Sequence, residues 1–326
     1  MSTRHIISTV VLFTLFLLTA GTTAQTQRAP ITGDWQIEFD REKTDEVHLS
    51  MNLSTAGKSR NNWGNSIAIS EIQGLSRDVA MNSSVDVNLR IVRDAGTFEL
   101  TGSFRNGKGS GRFTLNPNEQ FFATLASRGY TNLTDSNVFS AAMSGLKISS
   151  IDELRVAGYD GLTFNKLIES AIFKVTPEQI ADLNAAGFDH LPFNKLVEAR
   201  IFKVDSAYAR EIEQMGWGKL PFNKLVELRV HKITPEYVNQ VRQMGFNDLP
   251  VNRLVELKIF NVTPEFVNEV RTFGYLSVTP QQLVNMRIFN IDADFIRRAQ
   301  SENPKVTIQQ MVEMRVQAKR SNHGIQ

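Results

Sequence analysis

Ser144-Gly145-Leu146-Lys147 puts a hydroxyl three residues before an amine, a Ser-x-x-Lys spacing in which the lysine could take the proton of a serine nucleophile during acyl transfer. The Ser-Asp-Asn and Lys-Thr-Gly elements that complete that chemistry are missing, and a chain with this serine and lysine content yields such a match by chance. Gly107, Gly109 and Gly111 could cradle a phosphate, but they lack the GxxxxGK[ST] spacing. They also fall between two strand patterns, where no helix N-terminus backs them, so they read as hairpin glycines. The five histidines, His5, His48, His190, His231 and His323, are scattered and form no HExxH or paired-ligand spacing. The chain contains no cysteine, which excludes a thiolate nucleophile, thiolate metal ligands and disulfides. These residues predict no catalytic site, no cofactor and no metal. An unrecognised hydrolase would need carboxylates brought together by the fold.

A second set of polar residues recurs with a fixed period. Asn165, Asn194, Asn223 and Asn252 are each followed by a cation, at Lys166, Lys195, Lys224 and Arg253, and three residues beyond each cation lies an acid, at Glu169, Glu198, Glu227 and Glu256. The cations and acids can simply pair at i,i+3 on a solvated helix face for a few tenths of a kcal/mol each. The asparagines can bond neighbouring turns or a bound peptide backbone. The motif Leu-Pro-[Phe/Val]-Asn-[Lys/Arg]-Leu-Val-Glu is kept nearly intact in the central copies and drifts outside them. A partner touching the middle of the chain would hold both its apolar and polar positions, as would recent duplication. Asn194, Lys195, Asn223, Lys224, Asn252 and Arg253 are therefore the candidate partner-binding residues.

The elements that must carry this ladder are helices in tandem. Gly129-Tyr130, Gly158-Tyr159, Gly187-Phe188, Gly216-Trp217, Gly245-Phe246 and Gly274-Tyr275 follow one another at intervals of 29 residues, the mark of stacked supersecondary units. Within a unit, Thr234-Pro235-Glu236 supplies an N-cap, a proline at the first helical position and a carboxylate at the positive helix end. Ile233 before it can staple to Val238, as can Val175 to Ile180, Val262 to Val267 and Ile291 to Ile296. The glycine then ends the helix in a left-handed conformation, and a second helix of similar length follows the Leu-Pro turn. Caps fall at Asn118, Lys147, Thr176, Asp205, Thr234, Thr263 and Asp292, which predicts seven helix pairs. At Lys147 no side chain can cap, and Ser150 with Glu153 offers a shifted capping box. The last unit loses its glycine and ends in the polar stretch 317–326, as a terminal cap should. Helices this short need their neighbours, so an α-solenoid is expected over 118–326.

Ahead of the array the pattern has a period near two. Residues 34–39, 47–53, 67–69, 85–91 and 97–101 alternate polar and apolar side chains, and Asp94-Ala95-Gly96 and Arg105-Asn106-Gly107-Lys108-Gly109 supply turns. The fold class is therefore α+β, with an antiparallel β-sandwich or small barrel of six to seven strands over 31–117 followed by the solenoid. Gly33-Asp34-Trp35 is similar to the Gly-x-Trp that opens lipocalin-like barrels, which implies a ligand cavity as the alternative function. The stretch is short for eight strands around such a cavity. Phe121 and Phe122 of the first unit are placed to pack on the strands, because Asn116-Pro117-Asn118 leaves almost no linker.

Met1 to Ala24 has the form of a secretory signal, with Arg4, the apolar stretch 6–20 and the small-residue site Thr22-Thr23-Ala24. Cleavage there leaves no membrane span, and the expected location is periplasmic or secreted. Lys and Arg total 36 against 34 Asp and Glu, with no basic tail, so nucleic acid is not an expected partner. Three stretches carry a family resemblance. Arg93 to Phe98, Gly102 to Gly111 and Phe113 to Asn118 resemble the region joining a β-domain to "GY…L…TPEF" helical repeats in extracytoplasmic parts of membrane metallopeptidases like BlaR and MecR. The peptidase's membrane helices and HExxH are absent, so the resemblance implies a free-standing sensor or adaptor module. The expected function is a non-enzymatic interaction protein that binds a protein or peptide in the bacterial cell envelope.

Overall fold

The computed structural model describes residues 28–39, 45–53, 62–82 and 84–323. The signal-like segment 1–24 lies outside them. The chain forms two compact units, one running to Val92 and including Gly96–Ala126, the other made of Arg93–Ala95 and the chain from Ser127 on.

Six strands build the first unit: β1 (Ile31–Phe39), β2 (Glu46–Leu53), β3 (Asn62–Ala68), β4 (Val85–Arg93), β5 (Gly96–Arg105) and β6 (Lys108–Pro117). They form one sheet in the order β3-β2-β1-β6-β5-β4. This is the order of an up-and-down barrel cut between β3 and β4, with one layer where a sandwich has two. The segment after β3 spans the cut with a 3-10 turn at Ile69–Glu71, a bridge from Gln73 to Arg90 of β4, and helix α1 (Arg77–Asn82) against β5 and β6. Alternation decides which face is covered: Ile31, Gly33, Trp35 and Ile37 of β1 are buried and Thr32, Asp34 and Gln36 between them exposed. Trp35, Phe98, Phe104 and Phe113 fill the interior, all at 1% exposure or less. The rings of Trp35 and Phe104 lie 5.8 Å apart, and those of Phe98 and Phe113 5.7 Å apart, edge on.

Only part of the glycine cluster makes the hairpin. Asn106 and Gly107 have positive φ of 51° and 76° between the paired residues Arg105 and Lys108, a two-residue turn whose twist suits the strands. Gly109 and Gly111 instead lie within β6. Gly111 pairs with Trp35 on one side and Gly102 on the other. This bare stretch of backbone lets the indole lie across two strands, its Nε1 donating to the Thr101 carbonyl at 3.1 Å. Helix α2 (Glu119–Ser127) buries Phe121, Phe122 and Leu125, and through Ala126 it belongs to the strand unit. Arg28 lies over the Phe122 ring at 4.9 Å, and its N–H donates to Glu119.

The repeats run on as α3 (Asp135–Ser144), α4 (Ile148–Val156), α5 (Phe164–Phe173), α6 (Pro177–Ala185), α7 (Phe193–Phe202), α8 (Ser206–Ile212), α9 (Phe222–Val230), α10 (Pro235–Gln243), α11 (Val251–Ile259), α12 (Pro264–Thr272), α13 (Pro280–Ile288), α14 (Ala293–Glu302) and α15 (Ile308–His323). With α2 they make seven pairs whose leading helices begin 29 residues apart. Thr176, Asp205, Thr234, Thr263 and Asp292 each accept a hydrogen bond from the N–H three residues on, as capping requires. Lys147 takes the N-cap position without a side-chain bond, and α4 starts at Ile148, so Ser150 lies inside the helix and the shifted box does not form. All four hydrophobic staples are buried pairs.

The first six leading helices each stop at a glycine, where φ at Gly129, Gly158, Gly187, Gly216, Gly245 and Gly274 is between 78° and 102°. The first six second helices also end on a left-handed residue, at Gly145, Lys174, Lys203, Lys232, Asn261 and Asn290. In every one of these six the next N–H donates back five residues, as from Val204 to the Ala199 carbonyl at 2.9 Å. Second helices pack on second helices, α3 on α5, α5 on α7, α7 on α9, α11 on α13 and α13 on α15. Their outer side therefore forms one layer.

Candidate interaction face

The ladder residues lie on that layer. Asn194, Glu198 and Ile201 are at i, i+4 and i+7 on α7, a spacing that keeps them on one helix face. The neighbouring second helices repeat the face as Asn165, Glu169 and Ile172, then Asn223, Glu227 and Val230, then Asn252, Glu256 and Ile259. Asn194, Asn223 and Asn252 are exposed, while Lys195, Lys224 and Arg253 are partly covered. Three of the four i,i+3 pairs form, with Lys195 Nζ 2.8 Å from Glu198 and Lys224 Nζ 2.5 Å from Glu227, and Arg253 on Glu256, whereas Lys166 lies over the Phe193 ring. Two cations also reach the next unit: Lys224 donates to Asn252 Oδ1 at 2.7 Å, and Arg253 donates to Gln281 Oε1. Part of the ladder thus binds unit to unit, which leaves Asn194, Asn223 and the Asn252 amide nitrogen facing outward.

The structure adds two rows that the sequence reading missed. Ile172, Ile201, Val230, Ile259 and Ile288 occupy equivalent positions in five successive second helices, at 39% to 51% exposure. Two residues beyond the first three are the left-handed Lys174, Lys203 and Lys232, all exposed and without an ion pair among the described residues. The 29-residue spacing was their only signal, since an aliphatic residue on a short helix reads as core until the register is known.

Other repeated side chains are consumed in holding the array together. Four of the six aromatics that follow a terminating glycine bond into the following unit: Tyr130 OH donates to the Leu162 carbonyl at 2.9 Å, Tyr159 OH to Leu191 at 2.7 Å, Trp217 Nε1 to Leu249 at 3.0 Å and Tyr275 OH to Val306 at 2.8 Å. Arg242 and Arg271 donate to the Met215 and Met244 carbonyls at the negative ends of the preceding leading helices. Within units, Arg229 stacks on Tyr208 at 3.6 Å, Lys258 on Tyr237 at 4.3 Å and Arg287 on Phe266 at 3.8 Å. Burial pushes the Tyr208 phenol up to about 12, against the pull of Arg229 and with a further push from Glu211, and burial alone does the same at Tyr237. Both phenols stay neutral through the physiological range.

At the joint between the third and fourth units Asp182 of α6 receives the start of α8, accepting from Ser206 N–H at 2.8 Å and from its hydroxyl at 2.5 Å. The hydroxyl and then the N–H hold this carboxyl below its usual range, burial opposes them, and Arg210 adds a smaller downward pull. A carboxyl depressed by folding contributes stability above its unfolded pKa and loses it as pH falls through the folded one. Asp182→Ala is therefore expected to cost about 1 kcal/mol at neutral pH, a charged hydrogen bond discounted for its partial exposure. Denaturant unfolding of both proteins at pH 7 and near pH 3 checks this. A gap that does not shrink in acid rules out the ionised contact.

The residues with catalytic spacing are placed otherwise. Ser144 donates its hydroxyl to the Ala141 carbonyl at 3.2 Å, next to the left-handed Gly145, and Lys147 caps α4. His48 lies on β2, His190 in a loop and His231 at the end of α9. Among the described residues no three His, Asp or Glu side chains gather as a metal ion would need, and no helix is long and apolar enough to cross a membrane. Clefts of about 340 Å³ and 560 Å³ open beside Trp217 and Tyr275, but the donors of both side chains already bond to main-chain carbonyls. No protein-family model matches the chain, and no curated protein matches it.

Proposed function

We propose that this is an exported, non-enzymatic interaction protein of the bacterial cell envelope, a scaffold, adaptor or sensor module that binds a protein or peptide along the second-helix face of its array. The carrying observation is the row Ile172, Ile201, Val230, Ile259 and Ile288. β-branched residues form helices less well than Lys or Glu, and half-exposed they gain little from burial, so folding alone does not favour them in five successive units. Export rests on the signal-like segment 1–24, and the envelope setting on the resemblance to extracytoplasmic repeats. A small-ligand site in the strand unit has less support, because Trp35, Phe98, Phe104 and Phe113 fill its interior.

Photo-crosslinking from single positions in producing cells tests the reading. A photoreactive residue at Ile201, Val230 or Ile259 is expected to give a discrete adduct with a protein or peptide, and one at Gln240 or Glu269, exposed on leading helices, is not. Equal adducts from both sets, or none from the second helices, would overturn the assignment.

A further inference from the structure

Resting on that reading, we propose that the face takes an extended, acidic segment of its partner in the polyproline II conformation, with an aliphatic side chain at every third residue and carboxylates between them.

Spacing is the first argument. Second helices that pack directly on one another have axes ~8–10 Å apart, so the aliphatic positions recur at about that interval from Ile172 through Ile201 to Val230, and again from Ile259 to Ile288. A polyproline II chain rises ~3.1 Å per residue with three residues per turn, which returns a side chain to the same side every ~9.3 Å. A β-strand returns its side chains every ~6.7 Å and falls out of step after one unit. A helix laid along the array would match through every seventh residue, at ~10.5 Å. Its main chain, however, is already hydrogen-bonded within itself. The outward row Asn194, Asn223 and the Asn252 amide nitrogen offers hydrogen bonds that suit a main chain with free N–H and C=O groups, which polyproline II has and a helix lacks.

Charge is the second argument, and it gives the partner its sign. The cations and acids in the middle of the face cancel in pairs. Lys174, Lys203 and Lys232 are left over, next to the first three aliphatic positions. All three have φ of 53°, a conformation natural to glycine and strained for lysine. The negative helix end offsets part of that strain. The fifth and sixth units carry Asn261 and Asn290 at the same place, so a lysine is not required by the turn. The uncompensated positive row spans the second to fourth units, and carboxylates of a bound chain would meet it there.

The test uses the mature full-length protein and a fluorescent peptide of repeated Val-Glu-Pro triplets long enough to cross five units. Three further peptides serve as comparison: Val-Lys-Pro triplets, the first composition with irregularly spaced valines, and a helical peptide with valine at every seventh residue among glutamates. The acidic triplet peptide is expected to bind, and each of the others to bind about tenfold more weakly or worse. Lys174→Asn, Lys203→Asn and Lys232→Asn together should weaken binding and flatten its salt dependence, on a turn that asparagine already occupies in two units. Ile201→Gln with Val230→Gln should weaken it and leave the salt dependence unchanged. Equal binding by the basic peptide overturns the charge argument, and equal binding by the helical or irregular peptide overturns the conformation. If none of the peptides binds while crosslinks still form from Ile201, this inference falls and the broader reading stands. If those crosslinks are absent as well, both fall.

Discussion

Gly111→Ala is expected to leave the strand unit largely unfolded while the repeat helices persist. A methyl group at Gly111 would lie 2.0 Å from the Thr101 carbonyl oxygen and 2.6 Å from the Gly102 Cα, both main-chain atoms in the strand paired with it. A flexible side chain could swing away, whereas these atoms can move only if the β5–β6 ladder opens and the indole of Trp35 loses its seat over Thr101. The cost combines overpacking, at about 1–3 kcal/mol or more, with part of the loss of a large buried aromatic, at about 3–5 kcal/mol. Their sum rivals the total stability of a small domain. Near-ultraviolet dichroism and tryptophan fluorescence would report the loss around Trp35, and far-ultraviolet dichroism would still show the helices. A variant that keeps the wild-type melting profile would mean that the close approach of β5 and β6 at this point is wrong.

In the repeat array Gly245→Val should destabilise far more than Lys224→Ala. Gly245 has φ of 92°, and the nearest atom to an added Cβ is Arg271 Nη2 at 3.6 Å. Space is therefore available and the penalty is conformational, about 1–3 kcal/mol for a β-branched residue. The following bond from the Phe246 N–H to the Val241 carbonyl depends on the same turn. Lys224 loses a pair with Glu227 and a bond to Asn252 across the unit boundary, both partly screened, for about 0.5–1 kcal/mol. Gly245→Asn should fall between the two, since asparagine tolerates a left-handed backbone. Thermal melts of the three variants decide it, and equal shifts for valine and Lys224→Ala would remove the glycine's role as helix terminator.

Features governed by a residue's own backbone or by its near neighbours were legible in the sequence. The caps from Thr176 to Asp292, the staples and the terminating glycines are of this kind, and the period multiplied each weak signal by the number of copies. What escaped notice depends on a partner that has no letter of its own. The carbonyls that Tyr130, Tyr159, Trp217 and Tyr275 reach belong to the main chain, so nothing in the side chains at Leu162 or Leu249 announces them. Lys174, Lys203 and Lys232 hold left-handed turns with no turn-forming chemistry, and only alignment with Gly145 and Asn261 by the period would have exposed them. Gly109 and Gly111 look like turn residues because a strand glycine is explained by the ring that crosses it, and that requires the register. Alternation likewise gave the buried face of each strand without saying whether the strands make one sheet or two. For the candidate face, the sequence offered the asparagines and cations. It was burial that sorted them, assigning Lys224 and Arg253 partly to the joints and adding the aliphatic row.

The bond from Tyr159 to the Leu191 carbonyl spans 32 residues, one whole unit and three more, and so do those from Tyr130 and Trp217. Removing or inserting one complete unit leaves each of these donors facing an equivalent carbonyl, and the bond from Tyr275 to Val306, which spans 31 residues, shows that the turn absorbs a difference of one residue. Whole units are therefore the steps in which the array can change length with these bonds kept. The last leading helix ends at Glu302-Asn303-Pro304, with no aromatic to reach forward. A lineage could thus lengthen or shorten the surface it presents without disturbing these bonds.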